Sequence, residues 1–290
     1  MQAELVWEAK AELGEGPHWD REKQMLYWVD ITGRRIHAYH APSDTEDVYD
    51  FDRMVSAVIP AEEGGLIVTL QDGIYRFHPE DDALHLLTEV EADLPRTRMN
   101  DAKCDPTGRL WAGTMRMDGS KELGALYVLE RDGRFRQALT DIGCSNGLAW
   151  DVQRGRMYYI DTGTRRVDAL DWDASTGAIA NRRPAVRFPD DAGWPDGMTI
   201  DAEGMLWVGH WGGGRISRWD PDTGSLLAEV TVPALNVTSC TFGGRDLDEL
   251  YITTAREGMS AEQSARYPLA GSLFKVRPGV RGTAGQPFGS

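Results

Sequence analysis

The chain has 290 residues, 31 Lys and Arg against 46 Asp and Glu, and a formal net charge of −15 at pH 7. That balance argues against nucleic acid or an anionic membrane surface as a partner, because both call for a positive footprint. No stretch approaches the roughly 18 apolar residues of a membrane helix, and the opening MQAELVWEAKAELGEGP has no basic segment leading into a long apolar run, so a cytoplasmic protein is expected. Thirty-two Gly and 14 Pro imply many turns, and ten Trp suit an all-β core.

In chain order, the first element is AELVWEA, a weakly alternating segment with no hairpin partner beside it. A phrase then recurs. Its apolar burst reads LYWVD from Leu26, LIVTL from Leu66, LWAGT from Leu110, MYYID from Met157, LWVGH from Leu206 and LYITT from Leu250, at intervals of 40, 44, 47, 49 and 44 residues. A shorter apolar segment precedes each burst, joined to several of them by turns such as DPTG, DVQRG and DAEG, which are hairpin chemistry. A third strand follows each burst: RRIHAY, GIYRFH, GALYVL, RRVDAL, GRISRW and GSLFKV. A weaker fourth, such as LLAEVTV, often comes next.

Four antiparallel strands repeated six times predict an all-β, six-bladed propeller as a single domain over residues 1–290. AELVWEA is then expected to close the last blade outside GSLFKV, which removes an open edge. A two-domain β-sandwich is the competing architecture, but sandwiches require no such period. One short helix is expected in MSAEQSARYPL, where Ser260 and Gln263 form a capping box and Pro268 ends the segment.

The repeat also supplies a register. Glu15, Asn100, Asn146 and Asp196 each stand ten or eleven residues before their burst, at the start of the preceding strand. In a propeller the first strand of every blade lines the central channel. The four side-chain oxygens should therefore meet at one mouth, although any one of them alone could be a turn or cap residue. Converging carboxylates on Glu15 and Asp196 call for a cation between them. An all-oxygen set suits one Ca²⁺, Mg²⁺ or Mn²⁺ ion and leaves Zn²⁺ or Fe²⁺ open.

The same mouth should carry two long loops, MRMDGSKEL after Thr114 and AREGMSAEQSARYPLA after Thr254, together with HWGGG, His210 to Gly214. PRTRMND brings Arg98 there, which suits an oxygen-rich ligand. The three cysteines, Cys104, Cys144 and Cys240, lack metal-ligand spacing and read as buried free thiols.

Taken together, LGEGPHW, RMNDAKCDPTGRLWAGTM, SNGLAWD, YYIDT, PDGMTIDAEGMLWVGHWGGGRISRWDP and TSCTFGG resemble the SMP-30/gluconolactonase/regucalcin-like family of six-bladed sugar lactonases over nearly the whole chain. The resemblance implies hydrolysis of a sugar-acid lactone. It implies Glu15, Asn146 and Asp196 as metal ligands, Arg98 and Asn100 as a substrate pair, and a loosely matched acidic lid residue at Asp118. Asp196 would also take the proton of the attacking water. No Gly-x-Ser-x-Gly elbow is present, which argues against an acyl-enzyme. The alternatives are a propeller hydrolase of other esters or phosphotriesters, a calcium-binding regulatory protein, and a protein-binding propeller. Oligomeric state is not readable from the sequence.

Overall fold

The computed structural model describes residues 1–118 and 124–289. Their strands form six four-stranded antiparallel sheets, the blades of a propeller. The innermost strands, in blade order, are Gly14–Asp20, Val55–Pro60, Thr97–Cys104, Ser145–Asp151, Trp194–Ile200 and Asn236–Gly243. The first five blades use consecutive strands. The sixth takes three strands from the end of the chain and its outermost from the beginning, Glu4–Trp7, with Leu5 opposite Phe274. AELVWEA closes the ring as its position in the sequence predicts.

Burial explains the order of strands within a blade. The second strands, such as Leu66–Leu70, are buried along their length because neighbouring blades cover both faces, so they read as continuous apolar runs. The fourth strands, such as Ile179–Arg187, are mostly exposed. Trp28, Trp111 and Trp207 sit in second strands and are fully buried. Two of them are tied to the preceding turn. Trp111 Nε1 donates to Asp105 Oδ2 at 3.0 Å and Trp207 Nε1 to Asp201 Oδ2 at 2.9 Å. The other carboxylate oxygens accept turn amides, from Thr107 and Arg109 and from Glu203 and Met205. The DPTG and DAEG turns are therefore built around an aspartate that holds both backbone and core tryptophan.

Every innermost strand slips register against its neighbour at an equivalent place: after Glu15, Val55, Met99, Asn146, Pro195 and Val237. A β-bulge re-aims the side chains beside it. Six bulges around the axis therefore turn one residue per blade towards the channel mouth where the innermost strands begin, called here the upper mouth. In blade 1 the bulge places Gly16 at φ +53°, a backbone state that favours glycine.

The remaining elements lie at the two ends of the channel. The helix Ala261–Arg266, in the loop after Ala255, carries the expected capping box of Ser260 and Gln263. At the lower mouth the C-terminal segment crosses from blade to blade, bridging Asp201 through Gly282 and Ala61 through Phe288. No helix among the described residues is long and apolar enough to cross a membrane.

Candidate active site

The bulge residues are Glu15, Ser56, Asn100, Asn146, Asp196 and Thr238, one from each blade and all buried. Four of them clasp the next blade. Ser56 Oγ donates to the Met99 carbonyl at 2.6 Å, Asn100 Nδ2 to the Ser145 carbonyl at 2.7 Å, and Thr238 Oγ1 to the Gly14 carbonyl at 2.5 Å. Asn146 does so through Thr162, whose hydroxyl accepts from Nδ2 at 2.9 Å and donates to the Pro195 carbonyl at 2.9 Å. Glu15 and Asp196 are the two members of the ring that, as carboxylates, have no proton to donate.

The strand entries are held in place by the aspartates that end LYWVD and MYYID. Asp30 accepts the amides of Glu12 and Leu13 at 3.0 and 2.9 Å, just ahead of Glu15. Asp161 accepts those of Gly143 and Cys144 at 3.2 and 3.0 Å, just ahead of Asn146. Behind Asn146, a Cβ on Gly147 would lie 2.7 Å from Ile160 Cδ1 and 2.9 Å from the Asp196 carbonyl. Glycine there lets blades 4 and 5 approach closely enough to bring Asn146 beside Asp196.

The resulting cavity of about 230 Å³ at the upper mouth is lined by Glu15, Arg98, Asn100, Asn146 and Asp196, five residues expected to converge. Glu15 and Asn146 both lie within hydrogen-bonding reach of the Asp196 carboxylate. Burial pushes both carboxyls above the ordinary carboxylate range; the charges of Asp196 and Asp101 add to the effect at Glu15, and that of Asp101 adds to it at Asp196. Asn146 Oδ1 is buried and has no hydrogen-bond partner. Arg98 donates from Nη1 to Asn100 Oδ1 at 2.6 Å and to the Met99 carbonyl at 3.0 Å. Burial lowers its pKa, while the nearby carboxylates, including Glu257, Glu15 and Asp196, oppose that shift.

Two buried carboxylates in contact cannot both ionise without a counter-charge. A buried amide oxygen with no donor, on the residue beside Asp196, offers such a cation a further ligand. The donor set of Glu15, Asn146 and Asp196 therefore fits a hard divalent ion, with room for further oxygen ligands.

Asp118 is not brought to this cavity. It is exposed and paired with Arg116, at 2.7 Å from Nη2. Residues 119–123 of the loop in which it was expected to act lie outside the described residues. HWGGG reaches the mouth through Trp211 and Gly212. His210 turns inward, pairs with Ser217 Oγ at 2.5 Å and the Ala192 carbonyl at 2.9 Å, and is lowered to about 4 by burial, so it is a neutral packing residue.

Several residues of the site escape a reading by register. Asp101, the neighbour of Asn100, does not line the cavity but is buried close enough for its charge to act on both carboxyls, and burial raises its own pKa. Cys104 and Cys240 are buried as expected, but Cys144 is half-buried and lines the cavity. Burial raises the Cys144 thiol to about 12, so it stays protonated and is no nucleophile at neutral pH. Trp194, Trp211 and Glu257 complete the wall.

Residues 13–256 match the model of the SMP-30/gluconolactonase/LRE-like region. The chain belongs to that family. A Bacillus subtilis (strain 168) protein named "Putative sugar lactone lactonase YvrE" is 42% identical over 99% of both chains. Regucalcin of Danio rerio is 40% identical over 97% of this chain and 96% of its own. A solved structure of a calcium-binding protein, regucalcin, from Agrobacterium tumefaciens strain C58 superposes with a TM-score of 0.94 at 28% identity, covering 100% of this chain and 97% of that one.

Proposed function

We propose that the chain hydrolyses a sugar-acid lactone to the free acid at the upper mouth, with one divalent cation held by Glu15, Asn146 and Asp196. The observation that carries the reading is the pair of buried carboxyls beside an unpartnered amide oxygen, set next to Arg98. The kinship with a relative named as a sugar lactone lactonase supports the substrate class. Family members named regucalcin, one described as calcium-binding, support the cation.

When bound, the cation supplies Lewis-acid chemistry and favours deprotonation of water. The residues of the chain do the rest. Asp196, which the cation would keep ionised, accepts the proton of the water that adds to the lactone carbonyl carbon. As the carbonyl oxygen gains charge, the Arg98 guanidinium stabilises it, since its bonds to Met99 and Asn100 come from Nη1 alone. Asn100 fixes that guanidinium by accepting from it while anchored to the Ser145 carbonyl. Collapse breaks the ring C–O bond, and the departing alkoxide takes a proton back from Asp196. Leu13, Met115 and Trp194 form apolar walls that limit water around the reacting ester.

A panel of aldonolactones, assayed after chelation and with single metals restored, tests the proposal. Hydrolysis should be lost without metal and return with at least one ion. A metal-loaded protein inactive on every lactone would leave the calcium-binding reading in its place.

A further inference from the structure

The cavity at the upper mouth is small for a binding site. Small-molecule pockets usually measure roughly 300–1,000 Å³, and this one holds about 230 Å³. It does not end there. A groove of about 400 Å³ shares Trp194, Trp211 and Glu257 with it and runs outward between blades 5 and 6 towards Asp190, Asp191 and Met259. Neither the hydrolytic chemistry nor the metal ligands require this second space.

The groove has an aromatic wall held in a fixed position. Trp194 and Trp211 are cross-strand partners at the open end of blade 5. Trp194 is 40% exposed, although it begins an otherwise buried strand. The Arg165 guanidinium stacks on the Trp194 ring with its central carbon 3.6 Å from the centroid. That guanidinium is itself anchored to the carbonyls of Asp190 and Gly193 at 3.2 and 3.0 Å. One face of the indole is therefore backed by a fixed cation, and the ring is held as a plate beside the groove.

The polar lining selects the ligand. Asp190, Asp191 and Glu257 supply carboxylate acceptors. Arg165, the cation among the described lining residues, is already engaged by Trp194, by the two carbonyls and by Asp190 Oδ1 at 3.7 Å. An anionic extension such as a phosphate would meet acceptors of its own sign. A neutral polyol would donate hydroxyls to those carboxylates and lay its C–H face on the indole, whose ring face is electron-rich.

We propose that this groove is a second sugar subsite, so that the lactone hydrolysed at the metal cavity carries a glycosyl group that packs on Trp194. The proposal rests on the lactone reading for its chemistry. Its subsite can be tested without turnover. Gluconate, cellobionate and maltobionate would be titrated calorimetrically into the metal-loaded protein, and kcat/KM measured for the three corresponding 1,5-lactones, in the parent and in Trp194→Ala. At least one disaccharide acid should bind about tenfold tighter than gluconate, and its lactone should show a similar gain in kcat/KM. In Trp194→Ala the disaccharide-to-monosaccharide ratio should fall by about the same factor in both measurements, with the melting temperature recorded on the same sample. Equal or weaker binding of both disaccharide acids overturns the subsite, as does a Trp194→Ala loss that leaves the ratio unchanged. Tighter disaccharide binding with no lactone hydrolysed would keep the subsite and overturn the hydrolytic reading instead.

Discussion

The two mouths of the channel are lined by the same six strands, and the larger opening is the lower one. Its cavity of about 580 Å³ is more than twice the volume of the upper one and also holds charged groups. The difference lies in how those charges are satisfied. At the lower mouth Asp151 is bound by Arg154, and Asp201 accepts from Trp207, Arg218 and two amides. His18 is lowered to about 3 by burial and is neutral. Lys103 donates to the Met198 carbonyl at 2.6 Å, beneath Asp101. At the upper mouth Glu15 and Asp196 face each other, and Asn146 Oδ1 has no partner. Volume alone would point to the lower mouth; unsatisfied charge points to the upper one, where the proposed site lies.

This contrast predicts opposite signatures for substitutions at the two ends. The largest effect should come from Asp196→Asn, which keeps an oxygen for the ion and removes the base. With occupancy restored by saturating metal, lactone turnover should remain about 10²–10⁴-fold below the parent. Near-parent turnover at full occupancy would reduce Asp196 to a ligand. Next comes Arg98→Ala, expected to lower kcat/KM by roughly 10²-fold while metal content is retained. Unchanged kinetics on the best lactone would remove Arg98 from the chemistry.

The lower mouth should respond in stability instead. Asp201→Ala strips partners from Trp207 Nε1, Arg218 and two turn amides, and should cost about 3 kcal/mol in denaturant unfolding. Below its melting temperature the variant should keep kcat/KM within about twofold of the parent. A large kinetic loss in a folded Asp201→Ala protein would erase the distinction between the mouths.

The smallest expected effect is a pH dependence of metal stabilisation. Glu15 and Asp196 are held above their ordinary pKa in the folded protein, chiefly by burial. Stability from an acid with a raised folded pKa is complete below its unfolded value and is lost as pH rises through the folded one, which for Asp196 is about 8. The metal-free protein should therefore weaken between about pH 5 and pH 8. A bound cation competes with those protons, so its gain in melting temperature should be larger at pH 8 than at pH 6. An equal gain at both values would place the ion away from these carboxyls.

Much of the fold is legible in the sequence because the second strand of each blade is covered on both faces. It must then be an apolar run, and six such runs at near-constant spacing leave few architectures. Glu15, Asn100, Asn146 and Asp196 are legible for a related reason: the bulge recurs at one place in every unit, so counting back from each burst finds it. Ser56 and Thr238 occupy the same ring, yet a lone hydroxyl in a strand carries little signal, and both prove to be clasps between blades. Asp101 is hidden by Asn100, since adjacent polar residues at a strand start read as one turn. Trp194, Trp211 and Glu257 come from blade 5 and the loop between the second and third strands of blade 6, and their approach depends on three-dimensional packing that no local pattern encodes. Asp118 matches a lid position only loosely; it is exposed and paired with Arg116, and the loop that follows it lies outside the described residues.

The most direct test of the account is a metal titration of chelated protein in which occupancy and hydrolysis of the best aldonolactone are measured on the same samples. The account predicts that activity rises in proportion to occupancy, saturates at one ion per chain, and that Asn146→Ala shifts both curves to higher metal concentration together. Full turnover in protein verified to be free of metal would contradict it.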